Sequence, residues 1–173
     1  MSSLLSLGEV HEEPTSGNPE SLRQALRRDA ASPYRWCDLG EGLLQGGKKD
    51  EARYCFEQAL QLGPNVPPVL MRAAFFHFQT DETAAALERS ARVLQLVPSY
   101  DDVIFQYYDK AVTTVAEVLP YLSGNRRASQ AYFRHILASG RTDDAKVVWE
   151  WLGTQGFREN RLTAEYLELL HRQ

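Results

Sequence analysis

A set of apolar and small residues at fixed spacing between positions 33 and 66 constrains this chain more than any other feature. The set consists of Trp36, Leu39, Gly40, Leu43, Ala52, Phe56, Ala59 and Pro64. Its later members recur at the three- and four-residue intervals of one buried helical face. The segment therefore predicts a pair of packed helices rather than strands.

The ends of the two helices can be read from the same segment. Ser32 followed by Pro33 is typical of a helix start, because serine caps free N–H groups and proline fits the first helical position. Gly46-Gly47 is typical of a helix end. Gly40 would cost about 1 kcal/mol inside a helix relative to alanine. It is explained if the second helix crosses there too closely for a Cβ atom.

These spacings resemble the signature of the tetratricopeptide repeat, which is Trp, then Leu-Gly, a large residue, then Ala, an aromatic residue and a closing proline. Leu43 stands where the family usually has tyrosine. The resemblance implies an all-α fold, a right-handed helical-repeat solenoid of antiparallel helix pairs. It also implies a protein-binding scaffold.

A shift of 34 residues tests the period. Gly40 then falls on Ala74, Ala52 on Ala86 and Pro64 on Pro98, while Phe56 falls on Ser90. The pattern predicts six to nine antiparallel helices and no sheet. The predicted segments are a flexible acidic tail at 1–18, a half-unit at 19–32, units at 33–66 and 67–100, an irregular unit at 101–125, a unit at 126–159 and a half-unit at 160–173.

Motifs for catalysis or cofactor binding are weak in this chain. Residues 42–48 approach a phosphate-binding loop, but Lys49 replaces the hydroxyl residue that would hold magnesium, and the glycines follow a helix. The two cysteines, Cys37 and Cys55, form no CxxC motif and are expected to be free thiols. The sequence therefore predicts no enzyme, no cofactor and no metal.

Charge and hydropathy limit the partners and the compartment. The formal net charge is −4, which argues against general nucleic-acid binding. No apolar run reaches the roughly 20 residues needed to span a bilayer, and the N-terminus lacks a basic region of a signal peptide. The expectation is a cytoplasmic protein by default, or a cell-envelope protein if the chain is a fragment.

The resemblance also implies a concave groove lined by the first helix of each unit, which would bind a peptide or a helix of a partner protein. Transferring the family's groove positions gives Tyr34, Cys37, Glu41, Leu44 and Gln45, then Met71, Phe75, Phe78 and Gln79, then Phe105, Asp109 and Val112, and finally Arg127, Gln130, Arg134, Arg161 and Arg172. This groove is apolar in its first half and basic toward its end. Its arginines suit an anionic group of a partner or are ordinary solvated charges.

Two other functions stay open at this point. The chain ends within a repeat, which is consistent with an accessory or regulatory domain of a larger enzyme or of a cell-envelope assembly system. The motif Trp149-Glu150-Trp151-Leu152 has some likeness to the half-a-tetratricopeptide repeats of RNA-processing scaffolds. The last helix is apolar on two faces, through Leu162, Tyr166, Leu167 and Leu170, and is expected to support self-association.

Overall fold

The computed structural model describes residues 19–171, which form ten α-helices and no strand. The helices are α1 (Pro19–Arg28), α2 (Pro33–Gln45), α3 (Lys49–Leu62), α4 (Pro67–Gln79), α5 (Thr83–Leu96), α6 (Asp101–Ala111), α7 (Leu119–Leu122), α8 (Arg126–Ala138), α9 (Thr142–Thr154) and α10 (Asn160–His171). The predicted acidic tail at 1–18 and the predicted groove residue Arg172 lie outside the described residues.

The helices pack as consecutive pairs. Helix α2 packs against α3, α4 against α5, and α8 against α9, while α2 lies beside α4, α6 beside α8, and α8 beside α10. The all-α helical-repeat fold is confirmed for the described part of the chain. The helix number exceeds the predicted range of six to nine by one. The irregular unit made the number of helices hard to predict. Its second half is reduced to a 3-10 turn and the four-residue α7, which contains Pro120.

The predicted helix ends are present where a side chain or a glycine supplies them. The Ser32 hydroxyl accepts a hydrogen bond from the Arg35 backbone N–H at 3.5 Å, which caps α2. The Asn125 side chain accepts one from the Ala128 N–H at 3.1 Å, which caps α8. After α2 the chain reverses through Gly47, whose φ of +76° is a conformation that glycine adopts without steric cost.

Gly40 lies where α2 and α3 cross. A Cβ atom placed on Gly40 would lie 3.0 Å from the ring of Phe56, which is itself buried and packed 4.9 Å from the ring of Phe76. The predicted close crossing of α2 and α3 is therefore confirmed, and its contact partner is the Phe56 ring.

Ser90 occupies the position that Phe56 holds one period earlier, and the structure shows what replaces the missing ring. Ser90 is fully buried, and its hydroxyl lies 2.9 Å from the Tyr108 hydroxyl while bonding the Ala86 carbonyl at 2.7 Å. Tyr108 comes from α6 and is also fully buried. The large residue that contacts Ser90 thus comes from the following unit rather than from α5.

Ion pairs between neighbouring units run along the array. Each joins an arginine to a carboxylate that lies 26 to 34 positions away along the chain. These pairs are Arg23–Glu51, Arg53–Glu82, Arg72–Asp38, Arg72–Glu41, Arg127–Asp101, Arg126–Glu159, Arg134–Glu165 and Arg141–Asp109. This sequence separation is about one repeat: seven of the pairs connect successive units, and Arg126–Glu159 joins the two ends of the unit at 126–159.

Candidate functional site

The described groove residues lie on α2, α4, α6, α8 and α10, the first helices of the units, except Val112, which directly follows α6. We call the combined surface of these five helices the first-helix face. Four of the predicted residues are buried: Gln130 with 8% of its surface exposed, and the apolar side chains of Cys37, Met71 and Phe105 with 0%, 3% and 1%. Phe105, for example, packs against the rings of Tyr132 and His135 on α8. These four side chains cannot contact a partner, so the binding surface excludes them.

The start of the first-helix face is covered by a charge network that sequence reasoning missed. Arg72 on α4 donates hydrogen bonds to Asp38 at 2.7 Å and to Glu41 at 2.6 Å on α2. Its side chain is only 22% exposed. Cys37 is buried beside this network. Of the other predicted residues on α2, Tyr34 is exposed and Leu44 is half-buried. The 34-residue separation of Asp38 and Arg72 is the signal that could have revealed the pair.

The basic end of the predicted groove is largely neutralised within the chain. Arg127 pairs with Asp101 and also donates to the Leu94 carbonyl. Arg134 and Arg161 both donate to Glu165, each at 3.0 Å. Arg127 and Arg134 therefore link helices, whereas Arg161 pairs within α10 and its side chain is 83% exposed.

Asp109, another predicted groove residue, also has partners in the same chain. Its carboxylate lies 2.7 Å from His135 Nε2 and accepts a hydrogen bond from Arg141. Asp144 is the second carboxylate on Arg141. Asp109 thus connects α6 to α8 and to the start of α9.

An aromatic cluster remains available where α4 faces α6. Phe75 and Phe78 are half-buried, and their ring centroids lie 4.6 Å and 5.2 Å from that of Tyr107. We call these three residues the aromatic cluster. Next to it is an open cavity of about 240 Å³, lined also by Asp81 and Lys110. The ammonium group of Lys110 lies 6.0 Å from the centre of the Tyr107 ring.

The aromatic cluster has the chemistry of an anchor site. Half-buried aromatic rings offer a large apolar surface that is already ordered, so little conformational entropy is lost when a ligand packs on them. Asp81 and Lys110 at the rim can bond polar groups of the same ligand. Sequence reasoning found Phe75 and Phe78 but missed Tyr107, whose neighbour Tyr108 is the buried one.

The two cysteines are free, as the sequence predicts, and both are buried in the first units, including Cys37, which was predicted to face the groove. Burial raises the pKa of the Cys37 thiol to about 12 and that of the Cys55 thiol to about 11. Because the thiolate is the reactive form, both thiols should be inert at neutral pH.

Alkylation should test this inertness. In the native protein at pH 8, we expect iodoacetamide to modify Cys37 and Cys55 at least about tenfold more slowly than a cysteine introduced at exposed Ser123. In denaturant all three thiols should react at similar rates. Mass spectrometry of quenched samples measures the rates. Fast labelling of Cys37 in the native protein would contradict the burial of its thiol.

Between residues 19 and 171, no group of three or more His, Cys, Asp or Glu side chains is arranged to hold a metal ion. None of the helices in this range has the length and hydropathy needed to cross a membrane. Lys48, in the turn that approaches a phosphate-binding loop, is exposed and pairs with Glu51 at 3.1 Å.

The fold and the repeat spacing define a class, the all-α helical-repeat proteins. Within that class, the family model of the tetratricopeptide repeat matches residues 33–66, which include α2 and α3. The chain therefore contains a tetratricopeptide repeat at residues 33–66, and arrays of such repeats are typically non-enzymatic scaffolds for protein–protein interaction. A search of curated proteins finds no match to the chain.

Proposed function

We propose that this protein is a scaffold that binds an extended peptide or a helix of a partner protein on its first-helix face. The observation that carries the proposal is the aromatic cluster of Phe75, Phe78 and Tyr107 beside a cavity of about 240 Å³. Apart from this cluster, much of the face is closed by ion pairs such as those of Arg72. The cluster is therefore the region where an apolar side chain of a partner can be buried.

The composition of the proposed site indicates the kind of peptide. An aromatic or large aliphatic side chain would pack on Phe78 and Tyr107, as in the hot spots of other protein interfaces. Lys110 and Asp81 at the cavity rim would bond polar groups next to that anchor. Because the predicted basic end is internally paired, the apolar anchor should contribute more to affinity than acidic residues of the partner.

A peptide-display selection tests this proposal. Peptides selected on the wild-type protein should share one aromatic or large aliphatic position. The affinity of a selected peptide, measured by calorimetry, should fall at least about tenfold in a Phe78→Ala/Tyr107→Ala variant, because loss of a hot-spot contact costs about 2 kcal/mol or more.

The matched control is Tyr54→Ala. Tyr54 is an aromatic residue on α3 that is 54% exposed and does not line the cavity beside the aromatic cluster. This variant should bind the selected peptides as the wild type does. Circular dichroism should show equal helicity for both variants. Unchanged affinity in the Phe78→Ala/Tyr107→Ala variant would place peptide binding elsewhere.

We further propose that the last helix mediates self-association, with a second copy of this chain as the occupant. Leu167 and Leu170 on α10 are 47% and 42% exposed. One period earlier, their positions are held by Phe133 and Ile136, which are fully buried. Phe133 packs against Trp149 of α9 at 5.5 Å between ring centroids. The equivalent face of α10 thus has the composition of a covered surface, and a copy of the same face offers matching apolar groups.

Sedimentation equilibrium at several concentrations tests the self-association. The wild type should show a mass that rises with concentration, and a Leu167→Glu/Leu170→Glu variant should stay monomeric. Tyr166 is unsuitable for this test because its ring contacts Phe133 and Trp149 in the interior. A wild type that remains monomeric at the highest concentration would contradict the proposal.

A further inference from the structure

A polar cavity, separate from the one beside the aromatic cluster, lies where α5 meets the short α7. Its volume is about 430 Å³, and its lining includes Arg89, Arg92 and Gln95 of α5 and Tyr121 of α7. The regular units have a second helix of 13 or 14 residues, whereas α7 has four. The shortened helix of the irregular unit leaves this side of α5 less covered.

The electrostatic balance distinguishes this cavity from three others on the described surface. Its lining carries two arginines and one carboxylate, Glu88, and therefore one net positive charge. The apolar cavity of about 520 Å³ near α1 has Arg23 against Asp50 and Glu51. The linings of the other two have equal numbers of positive and negative side chains. Of these four cavities, the one beside α5 is the one that attracts anions.

The two arginines here differ from the arginines that link the units. Arg92 donates its hydrogen bonds to neutral amide oxygens, those of Asn65 at 2.8 Å and Gln95 at 2.8 Å. Arg89 lies 3.8 Å from the carboxylate of adjacent Glu88, beyond hydrogen-bond distance. Their charges are thus only weakly compensated, in contrast to Arg53 or Arg72.

The Nε atom of Arg89 supplies a second, independent observation. It is shielded from solvent and has no hydrogen-bond partner within the described residues. A buried donor without an acceptor is energetically unfavourable, and the penalty is larger for a charged group. The Arg89 side chain as a whole is 38% exposed, so a turn of this side chain toward the cavity would let an oxyanion bound side-on to the guanidinium give this N–H its acceptor.

We propose that this cavity binds a phosphate group. Arg89 and Arg92 are three positions apart on α5, so they lie on one face of the helix and can bind two sides of one ligand. Arginine forms bidentate, charge-assisted bonds to phosphate, which are stronger than the bonds that Arg92 makes to neutral amides. The Tyr121 hydroxyl and the Gln95 amide add donors, and a phosphate has more oxygen atoms to accept them than a carboxylate does. This site is independent of the proposed peptide site on the first-helix face.

Nuclear magnetic resonance of arginine side chains tests the proposal directly. The Nε–Hε signals of Arg89 and Arg92, assigned with Arg89→Lys and Arg92→Lys variants, should shift saturably when inorganic phosphate is added at constant ionic strength. Acetate, the carboxylate probe, should bind at least about tenfold more weakly. O-phosphoserine should bind at least as well as inorganic phosphate if the ligand is a phosphorylated side chain, and more weakly if it is the free ion.

Three variants complete the experiment. Arg89→Gln/Arg92→Gln should abolish the saturable response, whereas Arg35→Gln, at an exposed arginine on α2, should not change it. Glu88→Gln retains both arginines and removes the opposing charge, so it should strengthen phosphate binding about two- to tenfold. Linear, non-saturating shifts in the wild type, or equal binding of acetate and phosphate, would overturn the proposal. Weaker phosphate binding by a folded Glu88→Gln variant would also overturn it.

Discussion

Replacement of Gly40 by leucine should lower the free energy of unfolding by about 1–3 kcal/mol, because overpacking a filled interior has a cost of this size. For a chain of this length the melting temperature should fall by roughly 3–10 °C. Even a Cβ atom at Gly40 would lie 3.0 Å from the Phe56 ring. That ring cannot move away easily, since it is 2% exposed and packs against Phe76.

Two further glycine variants isolate the cause. Gly40→Ala gains about 1 kcal/mol of helix propensity but introduces the same close contact, so its net effect should be small. Gly46→Ala is the matched control at the end of the same helix, where a Cβ would lie 3.5 Å from its nearest atom. It should remain within about 0.5 kcal/mol of the wild type. A Gly40→Leu melting temperature equal to that of the wild type would contradict the close crossing of α2 and α3.

The helix pairs were predictable because their determinants are local in sequence. The cap at Ser32, the reversal at Gly47 and the close crossing at Gly40 each follow from one residue's chemistry. Where the large residue of a crossing comes from another unit, the pattern fails. Ser90 looks like a defect in the 34-residue frame until Tyr108 is placed against it.

The candidate site was less predictable because exposure depends on contacts between units. Family offsets place Cys37, Met71 and Phe105 on the groove, yet the neighbouring helices cover all three. Tyr107 and Tyr108 are adjacent in sequence and chemically alike, and packing alone makes one part of the aromatic cluster and buries the other. Charged residues showed the same limitation, since a solvated arginine and one paired across units have the same sequence signature.

Replacement of Glu82 by glutamine should lower the free energy of unfolding at pH 7 by about 1–3 kcal/mol. The Glu82 carboxylate accepts hydrogen bonds from both terminal nitrogens of Arg53 on α3 and from the Thr80 hydroxyl at 2.8 Å. Its side chain is 25% exposed, and His77 Nδ1 lies 3.1 Å away. Hydrogen bonds to charged groups stabilise by about 1.5–3 kcal/mol, and partial exposure reduces that value. The matched control is Glu57→Gln at an exposed position of α3, which should change stability by less than about 0.5 kcal/mol.

The pH dependence of the same pair of proteins shows whether the charge of Glu82 is responsible. The hydrogen bonds from Arg53 hold the pKa of Glu82 well below the ordinary glutamate value of 4.5. A lowered carboxyl pKa stabilises the fold fully above pH 4.5, and this contribution is lost as the pH falls through the folded-state pKa. Urea unfolding should therefore show a gap between wild type and Glu82→Gln that narrows as the pH falls below 4.5. His77 acts in the opposite direction at higher pH. Burial lowers the pKa of His77 and Glu82 partly offsets this, so the variant should lose extra stability as its imidazole protonates, and the gap should widen somewhat between about pH 7 and 5.5 before it narrows. A gap that stays constant down to pH 3 would mean that Glu82 acts through its shape and neutral hydrogen bonds rather than through its charge.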